Sequence, residues 1–194
     1  GHVIKHAVAR AGIDPEEIED VILGCGYPEG ATGRNIARLS AVHAGLPFTT
    51  AATTINRFCS SGLQAIAFAA QRVIVDKVPV VVAGGLESVS LVQPNLNRTY
   101  YDEEWLTIHT PSLWMSMIDT ADTVANRYNI AREAQDEYAL LSQQRTATAQ
   151  VAGYFADEIV PFSSVKIVTD RDTKDTYEET ITLKKDEGNR PETT

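Results

Sequence analysis

Cys59 is the residue of this 194-residue chain that is best placed for covalent chemistry. It lies between a short β-branched run, residues 49–55, and apolar residues at helical spacing that extend to Asp76. The pattern predicts a strand that ends just before Cys59 and a helix that begins just after it. Free backbone N–H groups and the positive end of a helix dipole favour the thiolate there. Because the thiolate is the nucleophilic form of cysteine, this position indicates covalent acyl transfer.

A lone cysteine has a second interpretation, since cysteine is among the most buried residue types and often only fills space in a core. Position alone leaves both interpretations of Cys59 open. Ser60, Ser61 and Gly62 are small, which leaves room beside the sulfur for an acyl group or a cofactor arm. The other cysteine, Cys25, ends a predicted strand and is interpreted as a packed small residue.

Strands and helices are predicted to alternate around this junction, which favours an α/β fold. Strands are predicted over residues 21–23, 49–55 and 79–83, and helices over residues 1–11, 34–44 and 63–76. Residues 49–83 then form a strand–helix–strand crossover. A further helix is predicted to start at Asp14, since aspartate is a good cap and Pro15 suits a first turn.

Other polar and aromatic side chains carry weaker signals. His2 and His6 lie one helical turn apart, but no acidic or thiol partner follows at useful spacing, so no metal site is predicted. Glu87 is a general base by residue type, although a structural role on a tight turn after Gly84-Gly85 is the favoured interpretation. One aromatic and sulfur-rich set could line an acyl tunnel or form the core of a small domain: Tyr100, Tyr101, Trp105, Trp114 and Met117.

Composition narrows the classes of function. The net charge of −9 opposes general nucleic-acid binding, which neutralises phosphates with Lys and Arg. No apolar run approaches ~20 residues, so no membrane span is predicted. Two cysteines do not suggest a disulfide scaffold and fit a reducing compartment, so a cytoplasmic location is expected.

Several ordered segments resemble the thiolase family. Residues 59–66 (Cys-Ser-Ser-Gly-Leu-Gln-Ala-Ile) and 83–90 (Ala-Gly-Gly-Leu-Glu-Ser-Val-Ser) resemble the nucleophile region of thiolases. The resemblance continues, in family order, through residues 20–26, 34–38, 44–47, 119–125, 132–139, 142–145, 157–161 and 186–191. Ordered matches over nearly the whole chain are more specific than a single motif.

The resemblance implies a fold and an activity. Thiolases are acetyl-CoA C-acyltransferases or acetyltransferases, which cleave or form 3-ketoacyl-CoA through an S-acyl cysteine. A thiolase-like α/β fold is expected, with a mixed sheet, helices on its faces and an inserted α+β loop domain. Residues 1–91 would form the N-terminal half without the family's first strand, and residues 92–194 the loop domain that covers the CoA site. The fold would thus be incomplete.

The resemblance also implies residue roles. Cys59 matches the acyl-accepting cysteine, and Met117 matches the methionine that lines the CoA pocket in many members. Ser116 stands where some members have histidine, and Arg190 matches an arginine that contacts the CoA nucleotide in some members. CoA and acyl-CoA are the expected substrates, with no permanently bound cofactor, no metal and no nucleic-acid partner. A homodimer or homotetramer is expected.

Three catalytic motifs of the family do not occur in residues 1–194. They are the Gly-His-Pro motif with the base that activates the cysteine, the Cys-x-Gly motif with a second cysteine, and the Asn-Glu-Ala motif. These residues alone are therefore expected to be inactive in thiolysis. A non-catalytic, thiolase-like subunit for acyl-CoA binding or assembly is the alternative function, whereas the match of residues 119–161 disfavours a ketoacyl synthase. The tail, residues 184–194, is expected to become ordered only through contacts outside these residues.

Overall fold

The computed structural model describes all 194 residues, which divide into two compact units, Gly1–Thr99 and Tyr100–Thr194. The first unit contains α1 His2–Ala11, β1 Asp20–Gly24, α2 Ile36–His43, β2 Ala51–Ile55, α3 Ser61–Ile74, β3 Val81–Gly85 and α4 Val89–Val92. The second unit contains α5 Glu104–His109, α6 Met117–Tyr128, α7 Arg132–Val151, β4 Phe162–Thr169 and β5 Thr176–Leu183. None of these helices combines the length and the apolar character that crossing a bilayer requires.

A three-stranded parallel sheet, in the order β2-β1-β3, forms the centre of the first unit. The register aligns Asp20 with Ala51 and Val81 at one end of the sheet. All three strands that the sequence predicts are present, and the α/β fold class is confirmed. The crossover from β2 through α3 to β3 passes over β1, which lies between the two strands that it connects.

Strand β1 is buried along its whole length, as expected for a central parallel strand with helices on both faces. One cluster packs on α1 and α2 and comprises Ile4, Val8, Ile18, Val21, Leu23, Ala37, Ala41 and Leu46. On the other side, Ile22 packs against Ala65 and Ala69 of α3. Because alanine side chains are small, α3 lies close to the sheet.

Asn35 determines where α2 begins and what α2 is attached to. Its Oδ1 accepts a hydrogen bond from the Arg38 N–H at 3.3 Å and another from the Thr54 hydroxyl at 2.8 Å. Its Nδ2 donates to the Ala52 carbonyl at 2.8 Å. Since Ala52 and Thr54 belong to β2, this helix cap also ties α2 to the edge strand of the sheet.

The prediction of a helix that starts at Asp14 is wrong in extent, because residues Pro15–Glu17 form only one 3-10 turn. Asp14 caps this turn as expected, with its Oδ1 accepting from the Glu16 N–H at 3.0 Å. Ile18 then enters the core at 3% exposure, and the Glu19 N–H donates to the Val80 carbonyl at 3.2 Å. Burial and sheet pairing thus override the local helix signal.

The second unit contains an antiparallel hairpin. Strands β4 and β5 pair over eight residues each. Asp170 organises the connecting turn, because its Oδ1 accepts from the Thr173 N–H at 2.9 Å and the Asp172 N–H at 2.8 Å. These backbone hydrogen bonds lower the pKa of the Asp170 carboxyl below its ordinary value.

Candidate active site

Cys59 lies in a 3-10 turn, Phe58–Ser60, between the end of β2 and the start of α3. The predicted strand-to-helix position is therefore confirmed. The residue is exposed and its sulfur is free of any disulfide, so the interpretation of Cys59 as a buried packing residue is wrong. The turn follows the carboxyl end of a parallel strand, which is the edge where open α/β sheets bind ligands.

The hydroxyl of Ser61 stabilises this turn through two hydrogen bonds. It donates to the Phe58 carbonyl at 2.6 Å and accepts from the Arg57 N–H at 2.9 Å. The Ser60 hydroxyl donates to the Arg57 carbonyl at 3.0 Å. Ser61 is only 4% exposed, so its bonds are shielded from water. Sequence reasoning considered only the small size of these serines and missed that their hydroxyls fasten the backbone around the thiol.

Phe58, the residue before the thiol, has a φ of 46°, which lies in the left-handed region that residues with a Cβ rarely adopt. Such a conformation costs about 1–3 kcal/mol and persists only when its surroundings determine it. Here the Asn56 Oδ1 accepts from the Phe58 N–H at 2.8 Å, and Ser61 binds the Phe58 carbonyl. The sharp turn that presents Cys59 is therefore stabilised by its neighbours.

Glycines allow α3 to begin directly against the sheet. A Cβ on Gly24 would lie 2.5 Å from the Ser61 carbonyl oxygen and 2.6 Å from the Gly62 nitrogen. A Cβ on Gly85 would lie 3.1 Å from the Gly24 carbonyl oxygen and 3.8 Å from the Gly62 Cα. Backbone thus packs on backbone here, which brings the Cys59 turn to the ends of β1 and β3.

Cys25 is buried, whereas Cys59 is exposed. Cys25 is 1% exposed, and its Sγ donates a long hydrogen bond of 3.7 Å to the Glu87 Oε1. Burial raises the pKa of the Cys25 thiol, a hydrogen bond with Thr32 opposes this, and the charge of Glu87 adds to it. Cys25 is thus a neutral, packed thiol, as predicted.

Glu87 has the structural role that the sequence favoured. Its Oε2 accepts from the Gly26 N–H at 2.7 Å and from the Tyr27 N–H at 3.2 Å. The carboxylate therefore fastens the loop after β1 to the segment after β3, and it is already engaged by three donors, since the Cys25 thiol binds its other oxygen.

Ser116 and Met117, the predicted CoA contacts, open α6 in the second unit. The Ser116 hydroxyl accepts from the Asp119 N–H at 3.1 Å and donates to the Asp119 carboxylate at 2.7 Å, so it caps the helix. Met117 is the first residue of the helix and is 73% exposed. The structure places these residues side by side, in a different unit from Cys59.

The aromatic set of the second unit is not a buried core. Trp105 stacks on His109 with ring centroids 4.4 Å apart, and the Trp114 Nε1 donates to the Thr107 hydroxyl at 3.1 Å. All five members of the set are exposed, Trp114 the least at 38%. The interpretation as a small domain core is therefore wrong, and the role in lining an acyl tunnel stays a prediction.

The tail that carries Arg190 is fastened to α7. The Asn189 Nδ2 donates to the carbonyl and the Oε1 of Gln143, at 3.0 and 2.9 Å, and the Arg190 N–H donates to the same Oε1 at 2.8 Å. The Gln150 Nε2 donates to the Asp186 carbonyl at 3.1 Å. The expectation that residues 184–194 become ordered only through outside contacts is therefore wrong. These bonds hold the backbone of Arg190 while the residue itself is exposed.

Gln143→Ala is expected to release this tail. The change removes two hydrogen bonds, each worth about 1 kcal/mol, so trypsin should cleave after Lys184 or Lys185 up to about 30-fold faster. Gln144→Ala is the matched control, because Gln144 is the next residue of α7 and is exposed. Equal cleavage rates for the two variants, followed by mass spectrometry, would show that Gln143 does not hold the tail.

Comparison with known proteins assigns the chain to a class. The family profile described as "Thiolase, N-terminal domain" matches residues 1–194, and the chain therefore belongs to the thiolase family. Its similarity to the 3-ketoacyl-CoA thiolase of Bacillus subtilis is 41% identity over 191 residues, which cover 98% of this chain and 48% of that protein.

Two further relatives are acetyl-CoA acetyltransferases. That of Chromobacterium violaceum is 42% identical over 173 residues, which cover 82% of this chain and 43% of the relative. The crystal structure of the Bacillus anthracis enzyme matches with a TM-score of 0.76 and 35% identity, over 99% of this chain and 48% of that one. The thiolase-like fold is thus confirmed, and the chain spans about half the length of these relatives.

Proposed function

We propose that Cys59 is the acyl-accepting nucleophile of a thiolase-type acyltransferase, and that the full-length protein transfers acyl groups between CoA and acetyl-CoA. The observation that carries the proposal is an exposed, free cysteine in a strained turn at the start of α3. Relatives that are named 3-ketoacyl-CoA thiolase and acetyl-CoA acetyltransferase support this chemistry.

The proposed reaction has two halves. In the first, the Cys59 thiolate attacks the thioester carbonyl carbon of an acyl-CoA, the bond from that carbon to the CoA sulfur breaks, and CoA leaves as a thiolate. The Cys59 backbone N–H is a candidate donor to the oxyanion that forms during attack. In the second half, the CoA thiolate or the carbanion of acetyl-CoA attacks the acyl carbon and releases the Cys59 sulfur.

The second unit supplies the proposed contacts to CoA. Met117 offers an exposed thioether for the pantetheine arm, with Ser116 beside it. The Arg190 guanidinium can pair with a phosphate and stack on adenine. Because the chain carries a net charge of −9, binding of the polyanionic CoA depends on such local cations.

Residues 1–194 are proposed to accept an acyl group without completing thiolysis. A single slow acylation needs only the thiolate and an acyl-CoA, whereas repeated turnover also needs the base that activates the cysteine, and the Gly-His-Pro motif for that base does not occur here. The full-length protein is proposed to work as a cytoplasmic homodimer or homotetramer.

Incubation of the 194-residue protein with acetyl-CoA tests this function. We expect intact-mass spectrometry to show one added acetyl group, peptide mapping to place it on Cys59, and the 3-ketoacyl-CoA cleavage assay to show no turnover. Binding of CoA without any acetyl adduct would instead support a non-catalytic acyl-CoA-binding subunit. Clear thiolysis would show that the three absent motifs are dispensable.

A further inference from the structure

Glu87 touches the loop that packs against the turn of the proposed nucleophile. A Cβ on Gly26 would lie 2.9 Å from the Glu87 Oε2 and 3.6 Å from the Phe58 carbonyl oxygen. Gly26 therefore lies between the carboxylate and the residue that precedes Cys59. The same carboxylate oxygen accepts from the Gly26 N–H at 2.7 Å, so the position of this glycine depends on Glu87.

We propose that Glu87 is a positioning residue for Cys59, which it reaches through Gly26 and the Phe58 carbonyl. Its carboxylate fixes the loop after β1, and this loop borders the strained turn at Phe58. This inference rests on the proposed role of Cys59 in acyl transfer. It assigns Glu87 no direct contact with substrate and no proton transfer.

Three features support the positioning role. Both oxygens of Glu87 are used, one by the Gly26 and Tyr27 amides and the other by the Cys25 thiol. Cys25 is 1% exposed, so its hydrogen bond to the Glu87 carboxylate is shielded from water. Phe58 has a φ of 46° that its surroundings must stabilise, and Gly26 is a second neighbour of its carbonyl besides Ser61.

If Glu87 acted on Cys59 only through its charge, its removal would change the reaction rate of Cys59 in the opposite direction. A carboxylate near Cys59 disfavours a second negative charge, so its removal would speed reactions of the thiolate. The positioning role makes removal slow these reactions, because Cys59 is already exposed and a looser turn lets it leave the fixed position before α3. Alkylation of Cys59 by iodoacetamide separates the two, since it needs no acyl-CoA.

Alkylation rates of Cys59 in the 194-residue protein, resolved by peptide mass spectrometry at fixed pH, test the proposal. We expect Cys59 in the Glu87→Ala variant to react at about one fifth of the parent rate or more slowly still. Glu87→Gln should stay within about twofold of the parent rate, because its amide oxygen still accepts from the Gly26 N–H and its nitrogen can donate to the Cys25 sulfur. Glu19→Gln removes the same charge at an exposed site of the first unit and should change nothing.

A second variant covers the case in which Glu87→Ala does not fold. Glu87→Asp is one methylene shorter and cannot hold both amides, so it should slow alkylation by an intermediate factor while circular dichroism shows a native fold. Parent-like rates in the folded Ala or Asp variant would overturn the proposal, as would a Gln variant that is as slow as the Ala variant. If the parent accepts no acetyl group from acetyl-CoA while these alkylation differences persist, the proposed function fails and the positioning of the Cys59 turn by Glu87 stands.

Discussion

Replacement of Cys59 by alanine is expected to abolish acetyl transfer from acetyl-CoA and to leave stability unchanged. Replacement of Cys25 by alanine should lower stability, while Cys59 still accepts an acetyl group. Loss of a nucleophile lowers a reaction that proceeds through it by about a thousandfold or more. Cys59 is exposed, so its truncation leaves no cavity. Cys25 is fully buried, and removal of its sulfur should cost about 1–2 kcal/mol of unfolding free energy.

The two cysteine variants control for each other because each carries the same chemical change. Acetylation of the 194-residue protein is measured by mass spectrometry, thiolysis is measured with the full-length protein, and the unfolding free energy comes from urea titration of the 194-residue protein. An acetyl adduct on Cys59→Ala, or complete loss of acetylation in folded Cys25→Ala, would contradict the assignment of the nucleophile.

Gly24→Ala is expected to destabilise the first unit by about 3 kcal/mol and to disturb the Cys59 turn. The new methyl group would meet the backbone of Ser61 and Gly62, at 2.5 Å from the Ser61 carbonyl oxygen. Ser61 is buried and hydrogen-bonded to Phe58, so the helix start can move aside only by breaking the turn. Urea unfolding gives the loss of stability, and iodoacetamide gives the change in Cys59 reactivity.

Gly84→Ala is the matched control for Gly24→Ala. Gly84 lies in β3, and a Cβ there would meet only the Leu23 Cδ2, at 3.4 Å, which is the end of a flexible side chain. We expect a change within about 1 kcal/mol, since alanine also restricts the unfolded chain. Equal stabilities of the two variants would show that α3 does not depend on backbone contact with Gly24.

Local sequence patterns predicted much of the fold and of the candidate site. Strands β1, β2 and β3 follow from short apolar or β-branched runs, and helices α2 and α3 from apolar residues at a period of 3.6, signals that depend only on neighbours along the chain. The place of Cys59 between β2 and α3 follows from the junction of two such patterns, whereas its exposure was decided by the structure. The failure at Pro15–Glu17 has the same origin, since a correct cap signal was overridden by the sheet pairing of the next residues.

By itself, the amino-acid sequence determined the family, the alternation of strands and helices, and Cys59 as the thiol at the start of a helix. Only the tertiary structure decided that β1 lies between β2 and β3, that Phe58 is held in a left-handed conformation, and that Glu87 binds the amides of Gly26 and Tyr27. The reason is distance along the chain. Glu87 and Gly26 are 61 residues apart, and no local periodicity records a contact that forms only when the two strand ends pack together.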